Sequence, residues 1–166
     1  MKKGLAVLAA VVVLASVATG VLIWRLTRDS ASELPEISAY THGQLVRIGP
    51  YYYCNVRDLD DCETPRTGGE LVIDPRHADP IQLSVPAAIA KAPWVLVRTY
   101  ENGDVVNEFR PGSTHAVTIP TMDPRRGRLF GFVVQLPTIV RDEQGNEFPA
   151  VHAEWSVRTV WPQPAE

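Results

Sequence analysis

Cysteine is scarce in this chain: Cys54 and Cys62 are the only two. With no second Cys/His pair to complete a tetrahedral set, a structural zinc site is excluded, and seven intervening residues are wrong for a C-x-x-C redox pair. Proline is absent up to residue 34, and all 14 prolines lie after it, a density that argues against long helices in that part. No charged side chain occurs from Gly4 to Trp24. No G-x-S-x-G elbow surrounds a serine. His42, His77, His115 and His152 lie apart, without the i, i+4 spacing of a metalloprotease helix. No cofactor motif, repeat or low-complexity tract is present. Basic residues are in deficit after residue 28, 12 against 19 acidic ones for a formal −7, which argues against nucleic acid as a partner.

The uncharged run Gly4–Trp24 is the clearest feature that is present. Its 21 residues would reach about 31 Å as a helix, close to the hydrocarbon thickness of a bilayer. Lys2 and Lys3 precede it. Trp24 stands where an interfacial aromatic belongs, and Arg25 and Arg28 close the segment. Ser16-Val17-Ala18 is an acceptable cleavage site for a signal peptide, but Val21-Leu22-Ile23-Trp24 keeps the chain apolar beyond it and favours a retained anchor. The reading is a signal-anchor over residues 1–28, a polar linker over 29–34, a domain over 35–160 outside the cytoplasmic membrane, and a tail over 161–166.

An oxidising compartment gives the cysteines a use. A Cys54–Cys62 disulfide closes a short loop, worth about 2–3 kcal/mol in the chain-entropy picture. The cysteines sit in the stretch Gly49-Pro50-Tyr51-Tyr52-Tyr53-Cys54, followed by an acidic segment with Asp58, Asp60, Asp61 and Glu63.

Short strands separated by turns fill the domain. Glu36–Thr41 and Gln44–Ile48 flank His42-Gly43 as a hairpin. Ile81, Leu83 and Val85 alternate with Gln82 and Ser84. Pro86–Lys91 is the one short helix expected, with proline at its start. Trp94–Tyr100 and Val105–Phe109 flank Asn102-Gly103, a strong hairpin signal. Leu129–Leu136 is the longest apolar run, interrupted by Gly131; Ile139–Arg141 and Glu147–Ala150 follow as separate short strands, and Ala153–Thr159 closes the domain. Trp94 and Trp155 are candidate core residues whose indole N–H groups each need an acceptor. The expected fold is mainly β, an antiparallel immunoglobulin-like β-sandwich, with a partly open β-barrel as alternative.

Several stretches together carry a family resemblance: Pro35–Tyr40, Gly49–Cys54, Gln82–Pro86, Ala92-Pro93-Trp94, Asp123–Leu129, Val134–Thr138 and His152–Val157. They resemble the DUF2771 family, exported proteins of unknown function found in mycobacteria and related actinobacteria. The resemblance covers roughly Leu34–Thr159. It implies an actinobacterial cell envelope and an external location, and carries over no catalytic residue. Some members are lipid-anchored; this chain has no cysteine at its N-terminus for such a modification, so its anchor is expected to be the helix.

Three surface features could bind something. Tyr51, Tyr52 and Tyr53 combine apolar bodies with polar tips. Arg125, Arg126 and Arg128 form a basic turn suited to a phosphate or carboxylate. Asp58, Asp60, Asp61 and Glu63 are weak candidates for a hard cation, without the spacing of a twelve-residue calcium loop. The function expected is a non-catalytic accessory or binding domain acting through contacts with an envelope membrane protein. A carrier or sensor of an envelope lipid is the alternative, suggested by Leu129–Leu136. A wall-active hydrolase or transferase is third; it would require a cleft that brings a histidine to an Asp or Glu.

Overall fold

The computed structural model describes residues 12–24, 34–141 and 144–163. The chain divides into two units, Met1–Glu33 and Leu34–Glu166.

In the first unit, residues 12–24 form helix α1. Its two hydroxyls are satisfied inside the helix: Ser16 Oγ donates to the Val12 carbonyl at 2.8 Å and Thr19 Oγ1 to the Ala15 carbonyl at 2.9 Å. Thirteen helical residues reach about 20 Å. Among the described residues no helix is long and apolar enough to cross a membrane; of the expected 21-residue spanning helix, these thirteen residues are the part described. The remainder of that segment, residues 4–11 and Arg25–Arg28, lies outside the described residues.

The second unit is built of strands β1 (Ile37–Thr41), β2 (Gln44–Ile48), β3 (Tyr52–Asn55), β4 (Asp58–Glu63), β5 (Gly68–Val72) and β6 (Ile81–Ser84), then the single turn of helix α2 (Ala87–Ala90). Strands β7 (Trp94–Tyr100), β8 (Gly103–Phe109), β9 (Ala116–Ile119), β10 (Met122–Asp123), β11 (Gly127–Arg141) and β12 (Glu147–Val160) follow. One sheet has the order β2-β1-β6-β9. The other runs β4-β3-β12-β11-β7-β8, with β10 on β11 and β5 on β12. Neither order closes on itself, which rules out a closed barrel.

Period-two alternation places one face of each sheet inward. Ile81 and Leu83 of β6 are buried while Gln82 and Ser84 are exposed. Trp94 and Leu96 of β7, and Ala153, Trp155 and Val157 of β12, are buried from the other sheet. All belong to one contiguous apolar cluster. Trp155 Nε1 donates to the Pro35 carbonyl at 2.7 Å, tying the first residues of the domain to its last strand.

The β1–β2 hairpin turns at His42-Gly43, with φ of 41° and 79°, the double left-handed conformation of a type I′ turn. The β7–β8 hairpin forms one residue out of register from the expected turn. Tyr100 pairs with Gly103, so Glu101 and Asn102 are the turn residues. Gly103, at φ 110°, supplies the left-handed residue just inside β8.

Two expectations are corrected. The four short strands expected after residue 129 are two long ones: β11 runs 15 residues through Pro137 and β12 runs 14. Pro137 does not end the ladder because a β-bulge absorbs its missing N–H, with Leu136 paired to Ala153 but Pro137 to Val151. The architecture is also not wholly antiparallel. β5 lies parallel to β12, Gly68 to Val72 against Ser156 to Val160, continuing the edge of β12 that β3 begins to cover at Ala153 and Glu154.

Cys54 and Cys62 face each other across β3–β4 and are disulfide-bonded. The acidic segment is therefore a strand rather than a loop. It is the last strand of its sheet, and its exposed carboxylates charge an edge that would otherwise invite another strand.

Gly131 marks a close approach of chains. A Cβ there would stand 2.5 Å from the Val157 carbonyl oxygen. Gly131→Ala is expected to lower stability by about 1–3 kcal/mol, read as a lower denaturant midpoint at unchanged slope.

Candidate functional site

The bulge at Pro137 does more than accommodate a proline. It shifts the alternation of β12 by one residue, so that Val151 is exposed while His152 and Ala153 are both buried. His152 is the residue of β12 left between the two paired neighbours, and it is turned inward, 7% exposed. A neutral imidazole results: burial pushes its pKa below the usual histidine value, opposed by a hydrogen bond with the Leu136 backbone.

Around His152 lies an open groove of about 730 Å³, lined by Tyr53 and Val56 from the β3–β4 hairpin, Ala88, Ala92 and Pro93 from the α2 region, Leu136 to Ile139 of β11, and Pro149 of β12. Tyr53 meets both His152 and Trp155 edge-on, with ring centroids 6.2 and 6.1 Å apart. The rim continues as exposed apolar side chains: Val56, Ile139 and Phe148. Beyond Pro93 and Pro137, which line both hollows, a second depression of about 540 Å³ is lined by Trp94, Phe109 and Pro111. Trp94 stacks on Phe109 at 4.0 Å. An apolar concavity with one or two buried polar groups is the form a small-molecule site takes.

The family model described as protein of unknown function (DUF2771) matches residues 30–160. The chain belongs to the DUF2771 family. It is 52% identical, over 164 residues, to uncharacterized proteins of Mycobacterium tuberculosis and Mycobacterium bovis, covering 97% of this chain and 100% of each relative. No solved structure matches it.

In this DUF2771 chain the residues singled out from sequence separate. Of the three tyrosines, Tyr53 joins the groove, while Tyr51 is exposed and precedes β3. Tyr52 is half-buried, and desolvation, reinforced by Glu154, raises its pKa. The arginines sit near the opposite end of β11, about 33 Å from the groove at strand rise, and two are already engaged. Arg128 Nε donates to Glu101 Oε1 at 2.7 Å and Nη2 to the same oxygen at 2.6 Å; Arg126 lies 3.9 Å from Asp123. The backbone N–H of Arg128, followed by its side chain, holds the Glu101 carboxyl below its usual range. The N–H groups of Arg125 and Arg126 do the same for Asp123. Asp58, Asp60, Asp61 and Glu63 lie along β4, and no group of three His, Cys, Asp or Glu able to hold a metal occurs among the described residues.

A separate hollow, about 370 Å³, includes His42, Gln44, Asp74 and Arg76 in its lining. His42 Nδ1 is 2.7 Å from Asp79 Oδ2, and His77 Nδ1 is 3.0 Å from Asp74 Oδ2. The two imidazoles stack 5.6 Å apart. The Arg76 N–H and then His77 lower the Asp74 pKa. Among the described residues no serine, threonine or cysteine lines this hollow. The nearby hydroxyls of Thr41 and Thr121 donate to the backbone carbonyls of Asp79 and Ala78.

Sequence reasoning placed His152 just ahead of the last strand, beside Glu154, and favoured a buried hydrogen bond over a ligand role; it did not make it a site residue because alternation in β12 was read only from Ala153 onward. Pro137 at the end of an apolar run signals an irregular ladder there, without saying whether the strand ends or its partner bulges.

His152 also sets a pH response. Its folded pKa is depressed, so the unfolded chain binds the proton more readily. The stability it confers is full above the unfolded value near 6.5 and is lost as pH falls from there towards the lower folded value. Stability of the wild type is expected to fall as pH drops below about 6.5, and His152→Phe to flatten that slope. Denaturant titrations across the window check this; an unchanged slope in the variant would exclude His152 as its source.

Proposed function

We propose that this DUF2771 chain is a non-catalytic binding domain, tethered outside a membrane by its N-terminal segment, that takes an apolar ligand in the groove over His152. The observation that carries the reading is the groove itself: about 730 Å³ of largely apolar concavity floored by a buried, neutral histidine. The uncharged run Gly4–Trp24 and the Ser16 and Thr19 hydroxyls turned back onto their own helix suit a lipid environment. The Cys54–Cys62 disulfide suits an oxidising compartment.

Immunoglobulin-like is the finer description of the domain that the topology supports. β6 pairs β9 in one sheet while β12-β11-β7-β8 neighbour one another in the other, the relation of strands B–E and G–F–C–C′. The fully buried Trp94 occupies the third of those strands, where such domains keep a core tryptophan. In this reading β1 and β2 extend the first sheet beside β6, and the β3–β4 hairpin is an addition to the second that supplies, through Tyr53 and Val56, one wall of the groove.

The test is affinity purification of tagged full-length protein from solubilised membranes of a mycobacterial host, with lipids and proteins identified by mass spectrometry. A defined apolar lipid should be recovered, and lost when Ala88→Phe fills the groove. A stoichiometric membrane protein in place of lipid would replace the ligand reading with that of an accessory subunit docked through the Ile139 and Phe148 rim.

A further inference from the structure

We propose that the two adjoining hollows hold a zwitterionic phospholipid, with its acyl chain in the groove and a phosphoethanolamine head between Arg110 and Glu108. This rests on the ligand-binding reading above and specifies the ligand's polar end.

Among the described residues no formally charged side chain lines the groove. The second hollow, which adjoins it across Pro93 and Pro137, has two: Glu108 and Arg110. Both are exposed. They stand two residues apart and do not neutralise each other, for neither has an ion-pair partner within 4.0 Å among the described residues. The domain pairs arginines elsewhere: Arg128 with Glu101, Arg141 with Glu147 and Arg158 with Glu70. The backbone that carries the two charges is held. Phe109 lies between them and stacks on Trp94 at 4.0 Å. Pro111 disfavours a helical backbone at Arg110, and Ser113 Oγ donates to the Arg110 carbonyl at 2.7 Å. The Gly112 N–H donates to the Ala90 carbonyl at 2.6 Å, which fastens this segment to α2, whose Ala88 lines the groove.

Charge complementarity decides what head suits this place. An apolar groove that opens beside a cation and an anion is matched by an amphiphile whose head carries both signs. A guanidinium takes two phosphate oxygens at once, and a primary ammonium donates hydrogen bonds to a carboxylate. A phosphoethanolamine head supplies both groups on one short linker. A phosphate monoester would satisfy Arg110 but set its charge against Glu108 and against a domain of formal −7. An uncharged glycerol head would leave both ions with water as their only partner. Because Glu108 and Arg110 are exposed, the head stays at the mouth and keeps part of its hydration, while the chain alone enters the uncharged groove, where a buried ion would be costly.

The experiment uses the full-length chain in uncharged dodecylmaltoside micelles at pH 7.5. Three photoactivatable probes share one diazirine-bearing palmitoyl chain: a lysophosphatidylethanolamine, a lysophosphatidic acid and a monoacylglycerol. Each is crosslinked over a concentration series, with labelled peptides mapped by mass spectrometry. The lysophosphatidylethanolamine is expected to label the peptides holding Tyr53 and Leu136–Ile139 with half-saturation at about tenfold lower concentration than either other probe, as one charge-assisted hydrogen bond provides. Arg110→Gln should cut its lead over the monoacylglycerol below about threefold. Glu108→Gln should cut its lead over the lysophosphatidic acid by the same measure and leave its lead over the monoacylglycerol in place. Both substitutions replace exposed side chains without an ion-pair partner, so the fold is expected to survive them. Equal half-saturation for the three probes, tightest labelling by the lysophosphatidic acid, or leads that survive both substitutions would overturn the assignment of the head yet leave the groove as a ligand site. Labelling of the groove peptides by none of the probes would overturn the ligand reading itself.

Discussion

Trp155→Ala is expected to cost about 3–5 kcal/mol, enough to consume most of the stability of a domain this size. The indole is fully buried between Tyr53 and the inner faces of both sheets. Its removal leaves a cavity that long paired strands cannot collapse to fill. It also strands the Pro35 carbonyl, which accepts the indole hydrogen. Trp155→Phe separates the two effects. It retains most of the volume and forfeits the hydrogen bond, for an expected loss of about 1–2 kcal/mol. Urea titrations of the two variants beside the wild type give both values. A loss for the alanine variant below about 1 kcal/mol would contradict the packing described.

Cys54→Ser/Cys62→Ser ranks second, with an expected loss of about 2–3 kcal/mol. The bond closes only a short loop, yet it joins two strands that hold little else. β4 is exposed at every residue but Leu59 and among the described residues pairs only with β3, and β3 meets β12 at just two residues. The consequence is local before it is global, because Tyr53 stands next to Cys54 and forms a wall of the groove. Reductant should lower the melting temperature of the wild type by the same amount as the double substitution and leave the double variant unchanged. Equal melting of oxidised and reduced wild type would show that the bond adds no stability.

The strand inventory was largely legible in the sequence, because alternation and turn chemistry are local. His42-Gly43 fixed one hairpin, the β7–β8 hairpin was found one residue out of register, and the cysteine spacing fitted a cross-strand bond. Family membership was legible too, from motifs spread over the domain. Three things were not. The continuity of β11 through Pro137 depends on a bulge in its partner, which no local rule specifies. The parallel pairing of β5 depends on which edge of β12 is free. The groove depends on both: His152 turns inward only because of the bulge, and Tyr53 reaches it only because β3 and β5 share one edge of the last strand. Tyr51, Arg125, Arg126 and Arg128 were chosen for their chemistry as residues, and chemistry alone does not say that Glu101 and Asp123 meet the arginines.

The position of β12 bears on how the chain comes to be folded. The closing strand lies between β11 on one side and β3 and β5 on the other, and its Trp155 binds a carbonyl 120 residues earlier. A ribosome must release nearly the whole polypeptide before β3 and β5 acquire their neighbour. Until then the nascent domain has an open seam, and contacts so distant along the chain form slowly. Truncation before Glu147 should correspondingly yield an aggregation-prone product rather than a smaller stable domain.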